Sequence, residues 1–192
     1  MIFRTIILAL LVSIFSISAS ADDSVYYRKW IIANYGNNIS GEDAAFVVRC
    51  VTSYNQRYVM HRPSPELIMA IIATESAYNR KAISNKGAKG LMQVMWSSHK
   101  KLTDQTTLYS IPMNIFVGIH VYHTYLVMYG GNRRRALMAY YGSTSVSGQQ
   151  YSDKIMAISQ RIRHYVAVHK KRHNAIVVKN KNQMAITLAD NQ

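Results

Sequence analysis

A chain of 192 residues is long enough for one compact domain and little more. Its single cysteine, Cys50, excludes an internal disulfide framework, so stability must come from a core, which 49% apolar residues can supply. The net charge of +14 calls for an anionic partner, with nucleic acid, anionic lipid and carboxylate-rich wall polymer as the candidate classes.

The first 21 residues read as a signal peptide. Arg4 supplies a positive start, Ile6 to Ile17 form an apolar run, and Ala19-Ser20-Ala21 gives the small-x-small junction before Asp22-Asp23. That run is shorter than the roughly 20 residues a spanning helix needs, so cleavage and export are expected rather than anchoring. No later segment is apolar for long enough to span a membrane. The expected location is periplasmic or secreted, which makes nucleic acid the least natural anionic partner.

Helical spacing then dominates. Val25 to Tyr35 reads as a helix stopped by Gly36, and Ser40 with Asp43 resembles a capping box opening a helix toward Tyr58. Arg62-Pro63-Ser64-Pro65 is a break, after which Ser64 caps a third helix with Pro65 at its first position and Glu66 favourable to the dipole. Its stretch Leu67 to Ala73 is apolar on every side, the pattern of a central core helix, and it ends near Glu75. Asn79 to Gly90 is polar and glycine-punctuated, too irregular for helix. A long helix runs from about Asn114 to Tyr129, and Asn132 caps a short one through Tyr140 that Gly142 ends. A last helix covers about Gln149 to His169. Residues 22–169 therefore form one all-α domain, and residues 170–192 a basic, polar tail expected to be flexible. No repeat and no alternating run long enough for a sheet is present. Cys50 falls on the apolar face of its helix and reads as a small core residue.

Among nine carboxylates, Glu75 stands apart. Asp22, Asp23, Glu42, Asp43 and Glu66 lie at a terminus or in first helical turns, Asp153 faces a charged surface, and Asp190 is in the tail. Glu75 follows a wholly apolar helix and sits at its C-terminal end, where desolvation and the dipole both favour the protonated form. A carboxyl kept protonated near neutral pH suits a general acid, although on these facts alone a helix-terminal glutamate reaching solvent is the commoner case. Asp104 is the other carboxylate not explained by capping.

The surroundings of Glu75 decide between these readings. Glu75-Ser76-Ala77-Tyr78-Asn79, Ala82, Ser84, Gly87-Ala88 and Gly90-Leu91-Met92-Gln93 resemble the soluble lytic transglycosylase pattern of the lysozyme-like family. Asn114-Ile115, Gly118, Gly130-Gly131-Asn132, Ala136 to Tyr140, and Tyr151 with Ile155 continue that resemblance in order, over roughly Pro65 to Ile158. The resemblance implies a lysozyme-like helical domain with a substrate groove and Glu75 as acid/base. It also implies substrate contacts at Ser84, Met92, Gln93, Tyr140 and Tyr141. By itself Ser84 reads equally well as a turn residue, and Tyr140 as a buried tyrosine closing a helix. Gln93 offers a donor and an acceptor to sugar hydroxyls and acetamido groups. Gly87 and Gly90 suit a sharp turn or a close backbone approach to a ligand.

Three positions depart from the pattern. Arg80 and Trp96 replace prolines, and Tyr141 stands where the family has an asparagine that contacts substrate. An aromatic ring there could stack on a sugar face.

What the resemblance implies is cleavage of the MurNAc-β-1,4-GlcNAc bond of peptidoglycan with formation of a 1,6-anhydro end, by a monomer that needs no cofactor and no metal. Such enzymes serve wall remodelling or the assembly of secretion and conjugation complexes. The alternatives are a hydrolytic muramidase drawing on Asp104, and a non-catalytic wall-binding module. His120 and His123, three apart on a helix, have no cysteine or acidic partner nearby and read as ordinary surface or core-edge histidines.

Overall fold

The computed structural model describes residues 23–189; the leader 1–21 and Asp190 lie outside the described residues. Six α-helices are described: α1 (Ser24–Tyr35), α2 (Gly41–Asn55), α3 (Pro65–Ser76), α4 (Ile111–Met128), α5 (Arg133–Tyr141) and α6 (Val146–Ala189). The fold is all-α apart from one small hairpin.

The caps act as their chemistry dictates. The Ser40 hydroxyl accepts from Asp43 N, Ser64 from Leu67 N, and Asn132 from Arg135 N, each satisfying a donor that the first turn leaves open. Helix α3 is the central element: Leu67 to Ala73 are all buried, and it packs against α2 and most extensively α6. Helix α4 packs on α2 and α5, α5 on α6, and α1 on α2 and α6, so the remaining helices join the apolar rod through α2 and α6. Cys50 is buried in that core, and burial pushes its thiol pKa up.

Three boundaries differ from expectation. Helix α2 stops at Asn55 rather than Tyr58, where the Asn55 side chain turns back to donate to Pro63 O. Helix α4 starts at Ile111, three residues before Asn114, because Pro112 is well suited to a first turn. Helix α6 continues from the body through the basic segment to Ala189, as a run free of proline and glycine after Gly148 permits.

No sheet was expected. A two-residue antiparallel pair nevertheless forms, β1 (Ala88–Lys89) with β2 (Val94–Met95), registering Ala88 with Met95 and Lys89 with Val94. Two glycines let it sit close to α4. A Cβ on Gly90 would lie 2.3 Å from the Asn114 side chain and 2.5 Å from Leu108 O. One on Gly118 would lie 2.6 Å from Met92 Cβ. Asn114, 1% exposed, then ties the hairpin down: its Oδ1 accepts from Met92 N at 2.7 Å, and its Nδ2 donates to Lys89 O and Leu108 O at 2.8 Å each. This packing sets the height of the hairpin over the end of α3.

Candidate active site

Helix α3 ends in a left-handed turn: Ala77 has φ 49° and Tyr78 φ 64°. That reversal is held by the fully buried Tyr78, whose hydroxyl donates to Met69 O at 3.1 Å, and by Asn38, which donates to Ala77 O at 2.9 Å. Ser76 Oγ donates across to Leu91 O at 2.8 Å and fastens the helix end to the hairpin loop. The side chain just before it, Glu75, is thereby fixed between helix and hairpin.

Glu75 opens into a groove of about 730 Å³, whose walls include Ser84, Gln93, Tyr140 and Tyr141. Five of the six residues singled out in the sequence thus meet in one cavity. Met92 does not: its side chain is fully buried behind the wall against Gly118, so no side-chain contact with a ligand is available to it. Its backbone carbonyl instead receives the Tyr140 hydroxyl at 2.7 Å.

Each wall residue is preset. The Ser84 hydroxyl accepts from Ala88 N at 3.0 Å, so it closes the loop as a turn residue while keeping its own proton for a ligand. Gln93, at φ 48°, donates from Nε2 to Gly90 O at 3.0 Å and Ala82 O at 3.2 Å, which aims its amide oxygen. Gly90 approaches Asn114 rather than an open cavity, whereas a Cβ on Gly87 would meet nothing within 4 Å. Tyr141, 48% exposed, lies stacked on Tyr151 with ring centroids 4.7 Å apart and planes 24° apart.

Tyr151 is the residue that sequence reasoning left out of the site. It belongs to the first turns of α6, is 9% exposed, and donates its hydroxyl proton to Glu75 Oε1. Its only signal was a spacing to Ile155, which is a core residue.

The electrostatics follow. Burial raises the Glu75 pKa above the usual carboxylate value, and the Tyr151 hydrogen bond and the charge of Lys154 pull against that rise without cancelling it. Tyr151 and Tyr140 are driven well above the ordinary phenol value, mainly by burial and next by the Glu75 charge, so both keep their protons. The site therefore holds one acid biased toward protonation and a phenol ready to support its ionised form.

Asp104 is elsewhere and otherwise engaged. One oxygen accepts from Thr106 N and Thr107 N at 2.9 Å and from the Thr106 hydroxyl at 2.6 Å, which lowers its pKa to about 2. Among the described residues, Glu75 is the one carboxylate in the groove wall. The His123 ring lies tilted against Tyr58, centroids 4.0 Å apart, and its Nε2 meets Met60 O at 2.9 Å.

Residues 49–159 match the family model of the transglycosylase SLT domain. A transglycosylase of Enterobacteria phage PRD1 is 34% identical over 97 residues, covering 48% of this chain. The chain spans about a third of that relative's length, 36%. The 70-kDa soluble lytic transglycosylase of Escherichia coli superposes with a TM-score of 0.56 at 18% identity, over 73% of this chain and 29% of that one. A complex of the 70-kDa soluble lytic transglycosylase with bulgecin A superposes equally well, with a TM-score of 0.56. At that identity the likeness establishes a shared lysozyme-like fold.

Proposed function

This chain belongs to the transglycosylase SLT domain family, and from that premise we propose that it is a lytic transglycosylase cleaving the MurNAc-β-1,4-GlcNAc bond of peptidoglycan. The observation that carries the reading is Glu75, a single acid of raised pKa in a groove that contains no second carboxylate among the described residues.

Protonated Glu75 gives its proton to the glycosidic oxygen as the bond to C1 breaks. Charge then grows on the sugar, and the 2-acetamido group of the muramyl ring supports C1. The carboxylate left behind is stabilised where it stands by the Tyr151 hydroxyl and the nearby Lys154. It takes the proton of the muramyl 6-hydroxyl while that oxygen bonds to C1 and closes the 1,6-anhydro ring. Glu75 ends protonated, and no water is consumed. Ser84 and the Gln93 amide oxygen face the groove as hydrogen-bond partners for the glycan, and Tyr141 offers its exposed ring to a sugar face.

A hydrolytic route with two carboxyl groups needs them within about 10 Å of each other across the bond. Asp104 is committed to its own turn, which favours the single-acid route. Residues 1–21 support export, with the wall as the place of action, in its remodelling or in assembly of a complex that spans it.

Digestion of purified sacculi followed by mass spectrometry tests the proposal. Anhydro ends, lighter than reducing ends by one water, are expected. Reducing ends would replace it with a muramidase, and intact sacculi with tight binding would replace it with a wall-binding module.

A further inference from the structure

A second concave surface lies between α1, α2 and the middle of α6, and shares no lining residue with the Glu75 groove. Tyr165 lines it, about 21 Å further along α6 than Tyr151 at roughly 1.5 Å per residue. The hollow measures about 620 Å³. Val25 and Ile32 border it at 52% and 37% exposure, and Phe46 stands beside it on α2 at 37%.

Cations surround these apolar groups. Arg28, Lys29 and Arg49 line the hollow, and the Arg49 guanidinium lies 5.4 Å over the Phe46 ring. None of the lining residues is acidic. Asp23, at the start of α1, is already paired with Lys170 at 2.8 Å, while the exposed Glu42, one turn before Phe46, offsets one of the charges. On the other flank of α1 a groove of about 740 Å³ is lined by Trp30, Arg161, His164 and Arg172, again with no acid, and also includes Tyr165. Helix α1 therefore runs between two cationic hollows.

Charge alone would suit any polyanion. The exposed Val25, Ile32 and Phe46 among the cations narrow the choice, because a soluble polyanion gives apolar side chains nothing to enter. A lipid interface takes both: arginine and lysine heads at phosphate depth, apolar groups at the acyl boundary. We propose that the α1–α2 face docks on an anionic phospholipid surface through Arg28, Lys29, Arg49, Val25, Ile32 and Phe46. The Glu75 groove stays open to substrate in that docked state.

Cosedimentation with phosphatidylcholine vesicles, with and without phosphatidylglycerol, tests this on the purified chain, its N-terminus sequenced so that a retained apolar leader is recognised. Binding that depends on phosphatidylglycerol is expected. The combined change Arg28→Gln, Lys29→Gln and Arg49→Gln should weaken it on the order of 100-fold, since each cation at an anionic surface contributes about a fivefold factor. Arg28 also donates to Gly41 O at 3.1 Å, so Lys29→Gln with Arg49→Gln serves as a second variant, losing roughly 30-fold. Phe46→Ser should weaken binding at high salt, where charge is screened. Turnover of sacculi and helical circular dichroism should be unchanged in all three. Equal binding to uncharged vesicles would overturn the proposal. So would unaltered binding by the charge variants, loss of binding only on changing Lys171, Arg172 and Lys179 to glutamine, or equally tight capture by soluble polyphosphate.

Discussion

Replacing Glu75 by glutamine keeps the shape of the side chain but removes the proton it delivers, so turnover should fall by about 10²–10⁴-fold. The folded pKa of Glu75 is raised, so its contribution to stability is fully present below its unfolded value and is lost as pH rises through the folded one. Glu75→Gln should therefore unfold at higher temperature than the parent near neutral pH, with the difference vanishing in acid. Calorimetry across pH reads this directly. Asp104→Asn should leave turnover nearly unchanged, since that carboxylate is spent on Thr106 and Thr107; an equally inactive variant would point to a second catalytic carboxylate. Tyr151→Phe removes a hydrogen bond that lowers the Glu75 pKa, so the alkaline limb of the pH–rate profile should move to higher pH. Its maximal rate should fall as well, because the ionised acid loses a donor; an unmoved limb would leave Tyr151 a packing residue. Tyr141→Ala should uncover Tyr151 and reduce turnover with the fold intact, and equal rates would remove Tyr141 from substrate binding. Glu75 could be read from sequence because an all-apolar helix leads into it. Tyr151 could not, since it is one of 14 tyrosines and meets Glu75 only after α6 returns across α3. Met92 carries the opposite lesson: its motif is at the site, yet its side chain faces away from it.

Among the elements, the helices were legible where a cap or a breaker coincided with a change in period, as at Ser40, Ser64, Asn132 and Gly142. The hairpin was not, because strands of two residues carry no alternation and depend on a partner more than twenty residues later, Asn114. That dependence can be measured. Asn114→Ala abolishes three hydrogen bonds, two of them buried, a loss of about 3 kcal/mol. Urea unfolding should show that loss. Turnover should drop even under folding conditions, because the Gln93 and Ser84 walls hang on the same loop. A destabilised variant with parental turnover would mean the groove is positioned some other way.

At the scale of the whole molecule, α6 reaches well past the body: between Lys171 and Ile186 every side chain described is exposed. A helix without packing partners is marginal in water, so amide exchange should be slow as far as about Val166 and fast beyond Lys171. A chain ending at Arg172 should retain its melting temperature and turnover. The leader expectation is checked by sequencing exported protein, which should begin at Asp22. The only two tryptophans divide the molecule in a useful way. Trp30 lines the cationic groove beside α1, and Trp96 directly follows Met95, a wall of the Glu75 groove, with Lys100 over its ring at 4.9 Å. Trp30 sits on the helix that carries the docking residues, although on its other flank, and Trp30→Phe or Trp96→Phe leaves a single optical reporter. Glycan should then change the emission of Trp96 in Trp30→Phe, and docking of α1 on vesicles that of Trp30 in Trp96→Phe, so each variant follows the occupancy of one face.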